Sequence, residues 1–179
     1  DPLSHYVAKG WRAGTSPHPL FDLTYYREQR PDVRDAQIEP LTHYINNGPN
    51  ELTNPHPLFD TDFYLKQLGT KSDVAPLQQY VLDGWRLGLS PHPLFDPEYY
   101  AQGVAKVISR DQDPLSQYVT GGWEAKPHPL FDPVFYLRNI LAKDASDQPP
   151  LLHYVRRGWQ LGADPHPLFD TSLYIEQFS

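Results

Sequence analysis

The hexapeptide Pro-His-Pro-Leu-Phe-Asp is written five times in this chain, at Pro17–Asp22, Pro55–Asp60, Pro91–Asp96, Pro127–Asp132 and Pro165–Asp170. Its phenylalanines stand at positions 21, 59, 95, 131 and 169, so the period is 36 or 38 residues. A second signature runs in phase with it: Pro2-Leu3-Ser4-His5-Tyr6, Pro40-Leu41-Thr42-His43-Tyr44, Pro76-Leu77-Gln78-Gln79-Tyr80, Pro114-Leu115-Ser116-Gln117-Tyr118 and Pro150-Leu151-Leu152-His153-Tyr154. A fixed period in this range marks one supersecondary unit stacked on copies of itself. That periodicity constrains architecture far more than it constrains function.

Each repeat reads as two short helices. Proline opens the first, where a missing N–H leaves no bond unmade. Leu3, Tyr6 and Val7, and their counterparts in later copies, follow at helical spacing. Glycine comes four residues after the tyrosine in every copy, at Gly10, Gly48, Gly84, Gly122 and Gly158. The spacing predicts that this glycine closes the helix in a left-handed conformation. A tryptophan follows in four copies and is expected to fold back on the tyrosine. Phe-Asp opens the second helix: Asp22, Asp60, Asp96, Asp132 and Asp170 are placed to cap it. Each phenylalanine is placed to staple against Tyr26, Tyr64, Tyr100, Tyr136 or Tyr174, four residues past the cap. Variation concentrates in Arg30–Glu39, Gly69–Ala75, Ala105–Asp113 and Lys143–Pro149, which read as loops on one face.

The chain is therefore expected to be all-α, a solenoid-like array of ten short helices in five pairs. The approximate units are 1–39, 40–75, 76–113, 114–149 and 150–179, together one repeat array over 1–179. Copy two departs, with Gly48-Pro49 where the others have Gly-Trp, and copy four shortens the turn after Trp123. No terminal repeat differs as a capping unit would, and there is no methionine at position 1, so a piece of a longer chain is expected.

Composition excludes several classes. Twenty prolines would suggest low complexity, yet three in each repeat sit at fixed positions and act as punctuation. The net charge of −7 argues against nucleic acid or an anionic membrane as partner. No apolar run is long enough for membrane insertion. Without cysteine there are no disulfides, thiolate metal sites or thiol nucleophiles.

Candidate chemistry is thin. The hexapeptide histidines lie thirteen residues from those of the Pro-Leu signature, as in His5 with His18, too far for adjacent ligands on one helix. Gln79 and Gln117 also stand where other copies have histidine, so a structural hydrogen bond fits better than a metal, and no metal or cofactor is expected. The sequence holds no nucleophile elbow, phosphate loop or His-Glu-x-x-His. Asp60-Thr61-Asp62 and Asp111-Gln112-Asp113 resemble an Asp-x-Asp metal pair, but such pairs arise by chance. No enzyme activity is expected. Trp11, Trp85, Trp123 and Trp159 are the candidate binding residues, since a column of indoles can stack on sugar rings or anchor a protein. The competing reading places them in the core, where short helices need large side chains.

The pattern Pro-Leu-x-His-Tyr-Val-x-x-Gly-Trp-x-x-Gly-x-x-Pro-x-Pro-Leu-Phe-Asp-x-x-Tyr-Tyr resembles a repeat of large bacterial proteins. Some of these carry glycosyltransferase domains for surface polysaccharides, and others are large secreted surface proteins. Tyr26-Arg27-Glu28-Gln29-Arg30-Pro31-Asp32-Val33 matches the segment that follows Phe-Asp in that repeat. The resemblance implies a non-catalytic interaction or spacer module, bacterial and associated with the cell envelope or secreted. Its partner would be a protein or other domains of the parent chain. A polysaccharide-binding array is the first alternative, and histidine-based metal binding the second. No catalytic residue carries over.

Overall fold

A computed structural model describes residues 1–69, 73–104, 111–140 and 147–177. In it the hexapeptide folds as a single β-turn. The Phe21 amide donates to the His18 carbonyl at 3.0 Å, and Phe59, Phe131 and Phe169 repeat the bond to His56, His128 and His166. Proline occupies the second position of each turn, where its fixed φ is already correct. The imidazole seals the turn from inside: Nδ1 of His18, His56, His128 and His166 accepts the amide of Leu20, Leu58, Leu130 and Leu168, each at 3.1 Å. In each of these turns Nδ1 is the acceptor.

The aspartate that ends the turn caps the next helix in all five copies. Its Oδ1 accepts from the amide three residues on, that of Tyr25, Phe63, Tyr99, Phe135 or Leu173, at 2.8–3.0 Å. The capped helices are Leu23–Gln29 (α2), Thr61–Leu68 (α5), Pro97–Gly103 (α7), Pro133–Ile140 (α9) and Thr171–Glu176 (α11). The Pro-Leu signature opens Pro2–His5 (α1), Pro40–Glu51 (α4), Pro76–Leu82 (α6), Pro114–Thr120 (α8) and Pro150–Arg156 (α10). With Pro31–Asp35 (α3) these make eleven α-helices, and among the described residues no strand is longer than an isolated bridge. The fold is all-α.

By its contacts the chain divides into two compact units, Asp1–His92 and Pro93–Ser179. Within each, one packing step recurs. A phenylalanine, the tyrosine of the helix it precedes and the tyrosine of the following Pro-Leu helix form a three-ring cluster. In the first unit these are Phe21–Tyr26–Tyr44 and Phe59–Tyr64–Tyr80. In the second they are Phe95–Tyr100–Tyr118 and Phe131–Tyr136–Tyr154. Centroids lie 5.2–5.9 Å apart and the two tyrosines meet edge to face, a favoured aromatic geometry. A main-chain bond accompanies every cluster: the cap aspartate's amide donates to the first proline carbonyl of the next hexapeptide, Asp22 to Pro55, Asp60 to Pro91, Asp96 to Pro127 and Asp132 to Pro165, at 2.8–2.9 Å.

Three local expectations change. The segment Arg30–Glu39, read as a loop, contains α3 and buries Val33. In copy two the first helix runs on through Pro49 for 12 residues and ends on a left-handed Leu52. The third change concerns Gly10, Gly48, Gly84, Gly122 and Gly158, none of which has positive φ; the left-handed closing glycines are Gly14, Gly88 and Gly162, four residues later. Space explains the earlier set. A Cβ on Gly84, Gly122 or Gly158 would lie 2.0–2.1 Å from the phenol oxygen of Tyr64, Tyr100 or Tyr136.

Candidate functional site

The four tryptophans do not share one environment. Trp11 is 2% exposed, Trp85 and Trp123 are half-buried, and Trp159 is 43% exposed. The indole N–H of Trp11 donates to the Val7 carbonyl and that of Trp85 to Val81, and the guanidinium of Arg12 or Arg86 lies over each ring at 4.2–4.3 Å. Among the described residues no ring contact joins a tryptophan to a tyrosine, so the predicted fold-back is replaced by this bond to the preceding turn. Trp159 alone offers a large open face.

The signature histidines serve the phenols of the core. Tyr26 Oη and His43 Nδ1 are 3.0 Å apart, and Tyr136 pairs with His153 in the same way. Where copy three has Gln79, Tyr64 donates to its Oε1 at 2.9 Å, as the sequence tolerance of glutamine suggested. In copy four Tyr100 turns to the Gly122 carbonyl. Two second-row phenols also accept main-chain amides: Leu77 donates to Tyr44 and Leu151 to Tyr118, both at 3.0 Å. Burial pushes Tyr44, Tyr118, Tyr26 and Tyr64 far above the ordinary phenol range. Among the described residues no group of three His, Asp or Glu side chains is placed to hold a metal ion. Asp60 and Asp113 of the Asp-x-Asp pairs are helix caps, and Asp62 pairs with Lys66.

One charged cluster stands apart. Arg30 bonds Asp32 at 2.6 Å and also reaches Glu51, which the lengthened α4 brings alongside His43. The Arg30 hydrogen bond holds the Asp32 carboxyl well below the usual carboxylate range. The cluster joins α2, α3 and the end of α4, a bracing role that nothing in the repeat pattern announced.

A concave feature of the second unit is an apolar groove of about 550 Å³ whose lining includes Tyr154, Val155, Trp159, Phe169, Tyr174 and Ile175. Phe169 and Tyr174 keep the usual 5.2 Å contact, but Tyr174 is 49% exposed, whereas its four counterparts are buried. Of the four variable segments, residues 70–72, 105–110 and 143–146 lie outside the described residues. No helix among the described residues is long and apolar enough to cross a membrane. The chain matches no family model, no curated protein and no solved structure.

Proposed function

We propose that the chain is a solenoid of five stacked repeats acting as a non-catalytic interaction or spacer module, of the kind carried by bacterial glycan-building or cell-surface proteins. One observation carries this reading. The side chains the repeat writes most faithfully are consumed by the fold itself: the rings and the signature histidines link neighbouring copies, while the aspartates cap helices and the hexapeptide histidines seal turns within each copy. An array whose recurrent residues face inward offers length and surface rather than one reaction centre. Its binding contacts would fall to the residues that differ between copies.

The array is tested by removing whole repeats, since units that touch only neighbours contribute stepwise. Chains of three, four and five copies are expected to gain a constant increment in maximum dimension by small-angle scattering. Their unfolding is expected to fit one repeat term and one interface term. A maximum dimension independent of copy number would sink the reading. Polysaccharide binding is the competing reading, and the open face of Trp159 favours it at that one position. Tryptophan fluorescence titrated with bacterial polysaccharides decides, because stacking on an indole changes its emission.

A further inference from the structure

We propose that the last turn of α4 is an ionic latch, held in helical form by the Arg30–Glu51 pair and released when that pair is screened or removed. Every residue involved lies in the unit Asp1–His92, so the latch does not depend on the stacking of five copies.

The turn is poorly made for a helix. The first helices of copies three, four and five stop after seven residues, whereas α4 runs for 12. Its added residues include Pro49, which has no N–H for the Ile45 carbonyl and crowds it with its ring. Gly48 stands before that proline, where helical backbone is disfavoured. Glu51 lies where the helix carbonyls already present partial negative charge, and the last turn holds no basic residue. Leu52 closes the helix at a φ of 51°, a left-handed conformation that costs a leucine free energy.

The compensation comes from outside the helix. Nη1 and Nη2 of Arg30 each reach one oxygen of the Glu51 carboxylate, and Nη1 also lies 3.4 Å from Thr53 Oγ1. The same guanidinium holds Asp32 through Nε and Nη2, at 2.9 and 2.6 Å. His43 Nδ1 stands 3.8 Å from Glu51 but 3.0 Å from Tyr26 Oη, so Arg30 is the closer partner of this carboxylate. Arginine and glutamate occur together at no other step. The positions matching Arg30 hold Leu68, Val104 and Ile140, and those matching Glu51 hold Ala13, Leu87, Ala125 and Leu161. The two side chains are 18% and 28% exposed, which leaves the pair open to counter-ions.

Release is confined to residues 49–52, because both flanks are tied down. Gly48 is buried beside the Tyr44 ring. On the other side, Thr61 donates its hydroxyl to the Thr53 carbonyl at 3.0 Å and its amide to Asn54 Oδ1 at 2.9 Å. A short segment that opens while its surroundings stay folded is a unit of local unfolding. Here ionic strength sets its equilibrium.

Hydrogen exchange of the whole chain, followed amide by amide by NMR, tests the latch. The Asn50 and Glu51 amides are expected to exchange at least about tenfold faster in about 1 M than in about 0.01 M sodium chloride, while Tyr44 through Asn47 keep their rates. Glu51→Gln is expected to bring the fast exchange to low salt and to abolish its salt dependence. Adding Pro49→Ala to Glu51→Gln should restore protection, since a turn without the proline needs no clasp. Salt-independent exchange in the wild-type chain, protection in Glu51→Gln equal to wild type, or no recovery on adding Pro49→Ala overturns the latch. Loss of protection at Tyr44 through Asn47 in step with Asn50 and Glu51 overturns it too, and makes Arg30 a plain brace of the whole helix.

Discussion

Gly84 occupies its position for a reason no local rule supplies. Its φ is ordinary, yet a methyl group there would meet the Tyr64 phenol oxygen at 2.1 Å. Because that ring is packed between Phe59 and Tyr80, it cannot swing away. Gly84→Ala is therefore expected to cost about 1–3 kcal/mol, the usual range for overpacking. Removing the phenol oxygen relieves the clash, so Gly84→Ala in a Tyr64→Phe background should cost clearly less, measured by urea unfolding as a double-mutant cycle. Gly88 provides the control. It is left-handed at φ 74°, so Gly88→Ala is expected to cost about 1–2 kcal/mol in either background. Equal coupling of Tyr64 to both glycines would contradict this account. The period made both glycines visible, but which needs φ and which needs space is decided across the packing step.

At the scale of elements, the turn and its cap were the most legible part of the chain. Two prolines, an aspartate and a tyrosine at fixed offsets have few other uses, and all five caps form. Less legible was a pairing between residues seven apart. Ser16, Asn54 and Asp164 accept the first helical amide of Leu23, Thr61 and Thr171, and where that residue is Pro97 or Pro133 there is no N–H to serve. The signal was present but lies across the hexapeptide, between segments read separately. The hexapeptide histidine is the element's weak point. His56 is buried, so His56→Leu strands the Leu58 amide and is expected to cost about 1–3 kcal/mol. His56→Asn keeps an acceptor and should retain most of the stability, as thermal unfolding would show. Burial also holds the His128 imidazole below its ordinary value of 6.5. As pH falls below 6.5 the unfolded chain gains a proton that folded His128 refuses, so stability falls until His128 protonates in the fold. The urea midpoint should therefore be lower at mildly acidic than at neutral pH, and His128→Asn should flatten that difference. An undiminished acid slope in the variant would place its origin elsewhere.

For the molecule as a whole, the period made the all-α class readable, but not the split into the units Asp1–His92 and Pro93–Ser179. Nothing in near-identical copies marks one junction as different from another. The same sameness gives the chain a collective response to alkali. Burial raises Tyr44, Tyr118, Tyr26 and Tyr64 above their ordinary 10.0, and Tyr100 to about 12. A phenol raised in the fold keeps its proton where the unfolded chain has lost it. The stability it contributes is complete below pH 10 and drains away as pH rises through the folded values. Because these phenols lie in successive ring clusters of each unit, their small losses accumulate within each unit. Alkaline titration is therefore expected to show one steep rise in phenolate absorbance for the core tyrosines, coincident with loss of the helical circular dichroism signal. Unfolding must expose those rings before they ionise. Phenolate absorbance that reaches its full value while the helical signal stands intact would show the rings to be open to water, and the packing step that repeats through the chain would no longer explain its fold.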